Sequence, residues 1–166
     1  TPVYYSDESY TSVWRNSDSL TNGIGDIEEF VFINSSVDGY RLPTQTEWEY
    51  AARGANPVGP TWEYPYAGSQ TCKDVAWYET NSDDETGLNE TKDVASLAPN
   101  GIGLYDMCGN IREWADVLNS DSVNYTYQCG GSFKASAGDC KITESISIAV
   151  DKIYYYYGFR VACSVQ

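Results

Sequence analysis

No histidine occurs among the 166 residues. Its absence excludes Ser-His-Asp and Cys-His catalysis, histidine-ligated zinc or iron, and histidine pH switching. Five cysteines are present, but no two form a CxxC pair, which argues against a thiolate zinc site. Basic residues are scarce: 10 stand against 24 acidic ones, a formal charge of −14. That field repels nucleic acid and anionic membranes, so neither is expected as a partner. The same acidity suits a hard cation, or simply solubility. No apolar run approaches the length of a membrane span, and no signal peptide is visible. There is one methionine and the first residue is Thr1, so the amino terminus reads as a processed or cleaved end. Internal repeats and low-complexity tracts are also missing.

What is present suits one compact domain with a real core. The cysteines fall at 72, 108, 129, 140 and 163. Their wide spacing fits one or two disulfides in an oxidising compartment, with at least one thiol left over; the pairing is not readable. Sequons at Asn34, Asn89 and Asn124 matter only in a glycosylating host. "TPVYY" and "FVFI" read as strands, and "NSDSLTNGIGD" between them as a loop. "RLPTQTEWEYAARG" predicts a helix over 44–53. Thr44 is the N-cap, Glu47 completes a capping box, and Gly54 is the stop. Trp48, Ala51 and Ala52 then share an inward face. Residues 55–103 read as long surface loops. "GLYDMCGNIREWADV" combines a short strand with a tight turn at Gly109–Asn110. Beyond residue 129, "CGGSF", "KITESISIAV" and "YYYYGFRVAC" read as strands, with backbone bends at Gly131 and Gly158.

The run Tyr154 to Tyr157 poses a question of packing. In a strand, Tyr154 and Tyr156 would face one side and Tyr155 and Tyr157 the other. A core on one side cannot take all four rings. At least two phenols should meet solvent, a ligand or another chain. Tyrosine runs are also good strand formers, and a plain sheet strand would produce the same letters.

Four ordered motifs then carry a resemblance. They are "GYRLPTQTEWEYAARG" (39–54), "PNGIGLYDMCGNIREW" (99–114), "GGSF" (130–133) and "GFRVA" (158–162). Together they resemble the formylglycine-generating enzyme or sulfatase-modifying-factor superfamily. The resemblance implies an α+β, loop-rich C-type-lectin-like fold for a single domain over 1–166. It also implies that an N-terminal part of the family core is missing. The family's oxidases resemble one another in a two-cysteine copper site after the GGS motif. Its second cysteine falls on Cys140, but the first falls on Ala135. Without histidine, the related iron-dependent sulfoxide synthases lose their ligands too. No enzyme activity is expected.

Within the superfamily the chain is most similar to the variable protein of a diversity-generating retroelement. In such proteins a segment from GGS to GFR is diversified by randomising template adenines. An AAC codon then yields Tyr, Ser, Asp, Ile, Ala and others, but not Lys, Glu or Trp. Residues 130–160 contain no Asn and are crowded with those products. The resemblance implies a ligand-binding set of Ala135, Ser136, Asp139, Ser147, Ile148, Ala149, Tyr154, Tyr155 and Tyr156. Tyr157 reads as a fixed core aromatic. The palette is close to that of an antibody paratope, with large rings and few torsions to freeze. The expected partner is a variable protein or cell-surface ligand, met outside the cell or at its surface. The alternatives are a surface or structural member of fixed specificity and, behind it, a formylglycine-generating oxidase.

The resemblance also implies a structural calcium on Asp106, Gly109, Ile111 and Glu113. A tight turn aims carbonyls inward and two carboxylates add charge, as calcium requires. Ordinary capping and turn hydrogen bonds would use the same residues. A second family calcium site needs Asn where this chain has Val75, and is expected to be absent.

Overall fold

The computed structural model describes residues 4–5, 9, 11, 32–34, 37–116, 125–149, 152 and 154–163. The predicted loop over 16–26 lies outside these residues. Ten short strands and one α-helix are described. They are β1 (Tyr4–Tyr5), β2 (Phe32–Ile33), β3 (Tyr40–Arg41), α1 (Gln45–Ala52), β4 (Ala76–Trp77) and β5 (Cys108–Gly109). Then follow β6 (Arg112–Ala115), β7 (Tyr125–Cys129), β8 (Ser145–Ala149), β9 (Tyr157–Phe159) and β10 (Ala162–Cys163). A 3-10 turn covers Cys72–Asp74. This is the expected loop-rich α+β architecture.

The helix begins where its chemistry predicts. Thr44 Oγ1 accepts the Glu47 N–H at 3.1 Å, and the Glu47 carboxylate accepts the Thr44 N–H at 2.9 Å. Both halves of the capping box are therefore made. Gly54 follows in the left-handed region at φ 84°. Trp48 and Ala52 are buried, and Ala51 packs against the same core.

The main sheet has the order β8-β7-β6-β9. The β8–β7 and β7–β6 pairs are antiparallel, and β6–β9 is parallel. Register divides its residues between two faces. Glu113, Cys129, Ser145 and Gly158 align on one face. The helix meets this face, because Trp48 Nε1–H donates to Glu113 at 2.7 Å and Gln45 donates to Ser145 at 2.9 Å. Arg112, Trp114, Gln128, Ile146 and Tyr157 align on the other face.

Two readings of the C-terminal third change. The GGSF segment leaves β7 at Cys129 and turns, because Gly130 and Gly131 stand at φ 86° and 71°. A side chain at Gly131 would meet the Cys140 sulfur and backbone. The strand expected from the tyrosine run starts only at Tyr157. Before it, Tyr157 N–H donates to the Tyr154 carbonyl at 3.0 Å, closing a turn.

The long stretch 55–103 is mostly loop, as expected, but β4 was missed there. Its two residues pair with β5, whose Gly109 stands at φ 72° against the Trp77 backbone. Gly109→Ala combines backbone strain with a backbone clash, and should cost ~2 kcal/mol or more in chemical denaturation.

Arg41 forks onto Glu47 with two 2.6 Å bonds. These bonds lead the causes that lower the Glu47 carboxyl to about 2. A lowered carboxyl stabilises above its unfolded value and loses that contribution as pH falls towards the folded value. The window is therefore about pH 5 down to 2. The Glu47 side chain is 44% exposed, so screening holds the effect under ~1 kcal/mol. Arg41→Gln should flatten the acid limb of the stability profile in this window, measured by urea melts at successive pH values.

Candidate functional site

The tyrosine turn gathers rings that an extended strand would separate. Tyr154 and Tyr156 stack at 5.3 Å between centroids. Tyr157 meets Tyr154 and Tyr156 edge-on at 5.0 and 4.9 Å. Tyr155 meets Tyr156 edge-on at 5.2 Å and tilts against Phe133 at 6.1 Å. Lys134 Nζ stands 4.8 Å from the Tyr155 ring centre, within cation–π range. The GGSF loop and the tyrosine turn thus touch, although the β8 hairpin separates them in sequence.

Exposure sorts the rings by role. Tyr155 is 69% exposed and Tyr154 43%. Tyr156 is half-buried. Tyr157 is half-buried as well, and it packs edge-on against Trp114. Burial raises its phenol above the ordinary value. It forms the floor of the cluster.

The other sequence-predicted positions do not all share this surface. Ala135 sits in the core, not on the surface: its methyl is buried, and its backbone N–H and C=O bond Ser132 and Glu79. Ser136 and Asp139 form their own turn at a surface position. The Ser136 hydroxyl donates to Asp139 at 2.7 Å and holds its carboxyl below the usual range. On β8, side chains alternate. Ile148 aligns with Thr126, whereas Ser147 and Ala149 align with Tyr127 and Tyr125 on the opposite face. A contiguous surface therefore takes in Tyr154, Tyr155 and Tyr156 with Lys134, and the buried Phe133 ring supports Tyr155 from beneath. Lys134 joins this surface although lysine is not a product of a randomised AAC codon.

Below the outer face lies Gln128. It is fully buried, and neither amide atom has a hydrogen-bond partner among the described residues. An unpartnered buried amide is costly. Gln128→Met keeps the volume and removes that cost. It should raise stability by ~1 kcal/mol, read as a shifted denaturation midpoint at constant slope.

The turn proposed for calcium carries a different network. Asp106, at φ 54°, accepts the Ala95 N–H at 2.8 Å. Glu113 accepts the Trp48 indole at 2.7 Å and two bonds from Arg160 at 2.8 Å each. Asp106, Ile111 and Glu113 border a cavity of about 630 Å³ shared with Tyr105, Phe159 and Arg160. Arg160 neutralises Glu113, so Asp106 is the one uncompensated carboxylate of the four-residue set. Such a set fits calcium poorly, since affinity rises with ligand charge.

Cys72, Cys108, Cys129 and Cys140 are buried thiols, so the expected disulfides are not formed among them. Cys108 and Cys129 are buried, and burial pushes both thiols up to about 12. Cys140 is fully buried, and its thiol is raised by a hydrogen bond with Cys72 and then by burial. The thiolate is the nucleophile and metal ligand, and this environment disfavours it.

The model of the sulfatase-modifying factor enzyme 1-like domain matches residues 3–165. The chain belongs to this family. It is 37% identical to the chaperone protein LppX of Paenibacillus barcinonensis over 67% of this chain and 41% of that protein. It is 39% identical to the formylglycine-generating enzyme of Thermomonospora curvata over 50% of this chain and 29% of that protein. An inactive C-alpha-formylglycine-generating enzyme 2 from Bos taurus is 32% identical over 61% of this chain and 37% of that protein. The chain thus spans less than half the length of these curated relatives. Among solved structures, Treponema denticola variable protein 1 aligns with 98% of this chain and 62% of its own. Its TM-score is 0.70 at 28% identity. CarF aligns over 82% and 52%, with a TM-score of 0.68 at 32% identity. The curated relatives therefore include enzymes and an inactive paralogue, and a variable protein shares the fold. Among the described residues, no helix is long and apolar enough to cross a membrane.

Proposed function

We propose that the chain is a ligand-binding display protein whose segment 130–160 is diversified by a retroelement to recognise varied targets. The observation that carries this reading is the solvent-facing aromatic cluster of Tyr154, Tyr155 and Tyr156 closed against Phe133 and Lys134. Clustered exposed rings generally mark a binding surface. Tyrosine suits one because it offers large contact area, a hydroxyl and only two torsions to freeze. The likeness to Treponema denticola variable protein 1 supports the same reading. A variable surface needs a backbone that stays fixed, and the turn hydrogen bond beneath Tyr157 provides one.

The reading is non-catalytic. Ala135 places a methyl where the family's oxidases resemble one another in a cysteine. The Cys140 environment disfavours thiolate. A Cys-Pro-x-Arg peptide incubated with the protein and copper should yield no formylglycine, and product detected by mass spectrometry overturns this part. The partner is an exposed protein or cell-surface ligand, met at the cell surface or outside it.

The gene decides the central reading. A neighbouring reverse transcriptase and a near-copy of the coding region for 130–160 are expected. Sibling copies should differ at Asn-template codons. One invariant sequence without a template repeat leaves a surface protein of fixed specificity. For a target isolated by its binding to the wild-type chain, Tyr155→Ala should weaken Kd about 30-fold, the ~2 kcal/mol of a hot spot. The melting temperature should stay within about 2 °C, since the ring is largely exposed.

Calcium at Asp106, Gly109, Ile111 and Glu113 is proposed as a weak site. Saturating calcium should raise the melting temperature by no more than about 2 °C over chelator, as one uncompensated carboxylate implies. A larger rise means that Glu113 leaves Arg160 for the ion.

A further inference from the structure

Two thiols far apart in sequence are brought face to face. Cys72 belongs to the 3-10 turn and Cys140 ends the loop after GGSF. Both thiols belong to one buried core cluster with Tyr66 and Cys108, and each shifts the other's acidity. Both are buried, at 6% and 0% exposure. The backbone around them is already fixed. Tyr66 donates its hydroxyl to the Ala137 carbonyl at 3.1 Å, and Ile142 N–H donates to the Pro65 carbonyl at 2.9 Å. Gly131 lies alongside, where any side chain would collide with the Cys140 sulfur and backbone. A cross-link here would join segments that are already docked.

We propose that Cys72 and Cys140 form a disulfide when the protein meets an oxidising thiol–disulfide medium, and that this bond anchors the root of the 133–140 loop. The oxidant is a low-molecular-weight disulfide such as glutathione disulfide. Cys72 attacks first, as a thiolate, breaking the glutathione S–S bond and releasing one glutathione thiolate. Cys140 then attacks the Cys72 sulfur, expelling the second glutathione, which takes up the Cys140 proton. The two protein thiols lose two electrons and two protons, and one glutathione disulfide becomes two glutathione thiols. The order follows from the site. Cys72 is the less buried of the two, and the Cys140 S–H donating to it lowers its thiol below the ordinary value. Cys108 lies close by, but burial holds its thiol near 12, and it already accepts the Ala67 N–H at 3.4 Å.

Trypsin resolves the pairing without ambiguity, because the lysines and arginines place every cysteine in a separate peptide. The folded wild-type chain is equilibrated in a glutathione redox buffer, alkylated, and digested without reduction. Peptide 54–73 joined to peptide 135–141 is expected, with both released by reductant. The oxidised chain should melt about 10 °C above the reduced one, the effect of closing a long loop. Cys72→Ser should abolish the redox-dependent difference. Separate alkylated peptides 54–73 and 135–141 after equilibration overturn the proposal. So does either peptide joined to one carrying Cys108, Cys129 or Cys163. The outcome does not depend on target binding, so this proposal and the display reading can fail separately.

Discussion

Glu113 joins three parts of the molecule through one carboxylate. It takes the indole N–H of Trp48 from α1 and the guanidinium fork of Arg160 from the segment after β9. It stands on β6, in the middle of the main sheet. Arg160 also reaches the Tyr105 carbonyl at 3.1 Å, which adds the turn before β5. A carboxylate this buried is tolerable only when its oxygens are met by donors and an opposite charge. Removing Arg160 leaves an unpaired ion inside, and removing the Trp48 indole takes a donor from it, so docking of helix, sheet and the segment after β9 is coupled through this one carboxylate.

The remainder of the fold relies on side-chain amides where regular structure is short. Asn100 donates to the carbonyls of Ala51 and Ala52 and accepts the N–H groups of Ile102 and Leu104. It thus closes the C-terminal end of α1 against a loop. Asn110, at φ 57°, exchanges two hydrogen bonds with Lys92 and accepts the Phe133 N–H on its carbonyl. Each amide supplies both donor and acceptor, as a loop running through a buried region requires. The surface built from Lys134 and the tyrosine turn is therefore supported from below by Phe133 and these amides.

The helix was legible because its signals are local. Thr44, Glu47 and Gly54 act within a turn of their own positions. The Gly109–Asn110 turn was legible for the same reason. The tyrosine run was misread in conformation, because strand propensity says nothing about a turn closed by Tyr157 N–H. Ala135 was assigned to a surface that it does not reach, since counting from a motif gives no burial. The Cys72–Cys140 approach left no trace in spacing at all.

By itself the sequence determined the family, the loop-rich α+β class, the capped helix and the exclusion of histidine chemistry. These follow from composition and from contacts a few residues apart. Tertiary structure alone decided which rings share a cluster, which thiols meet, and that Arg160 occupies the carboxylate of Glu113. Those outcomes depend on register and loop closure across the whole chain. Neither is encoded in any single stretch of it.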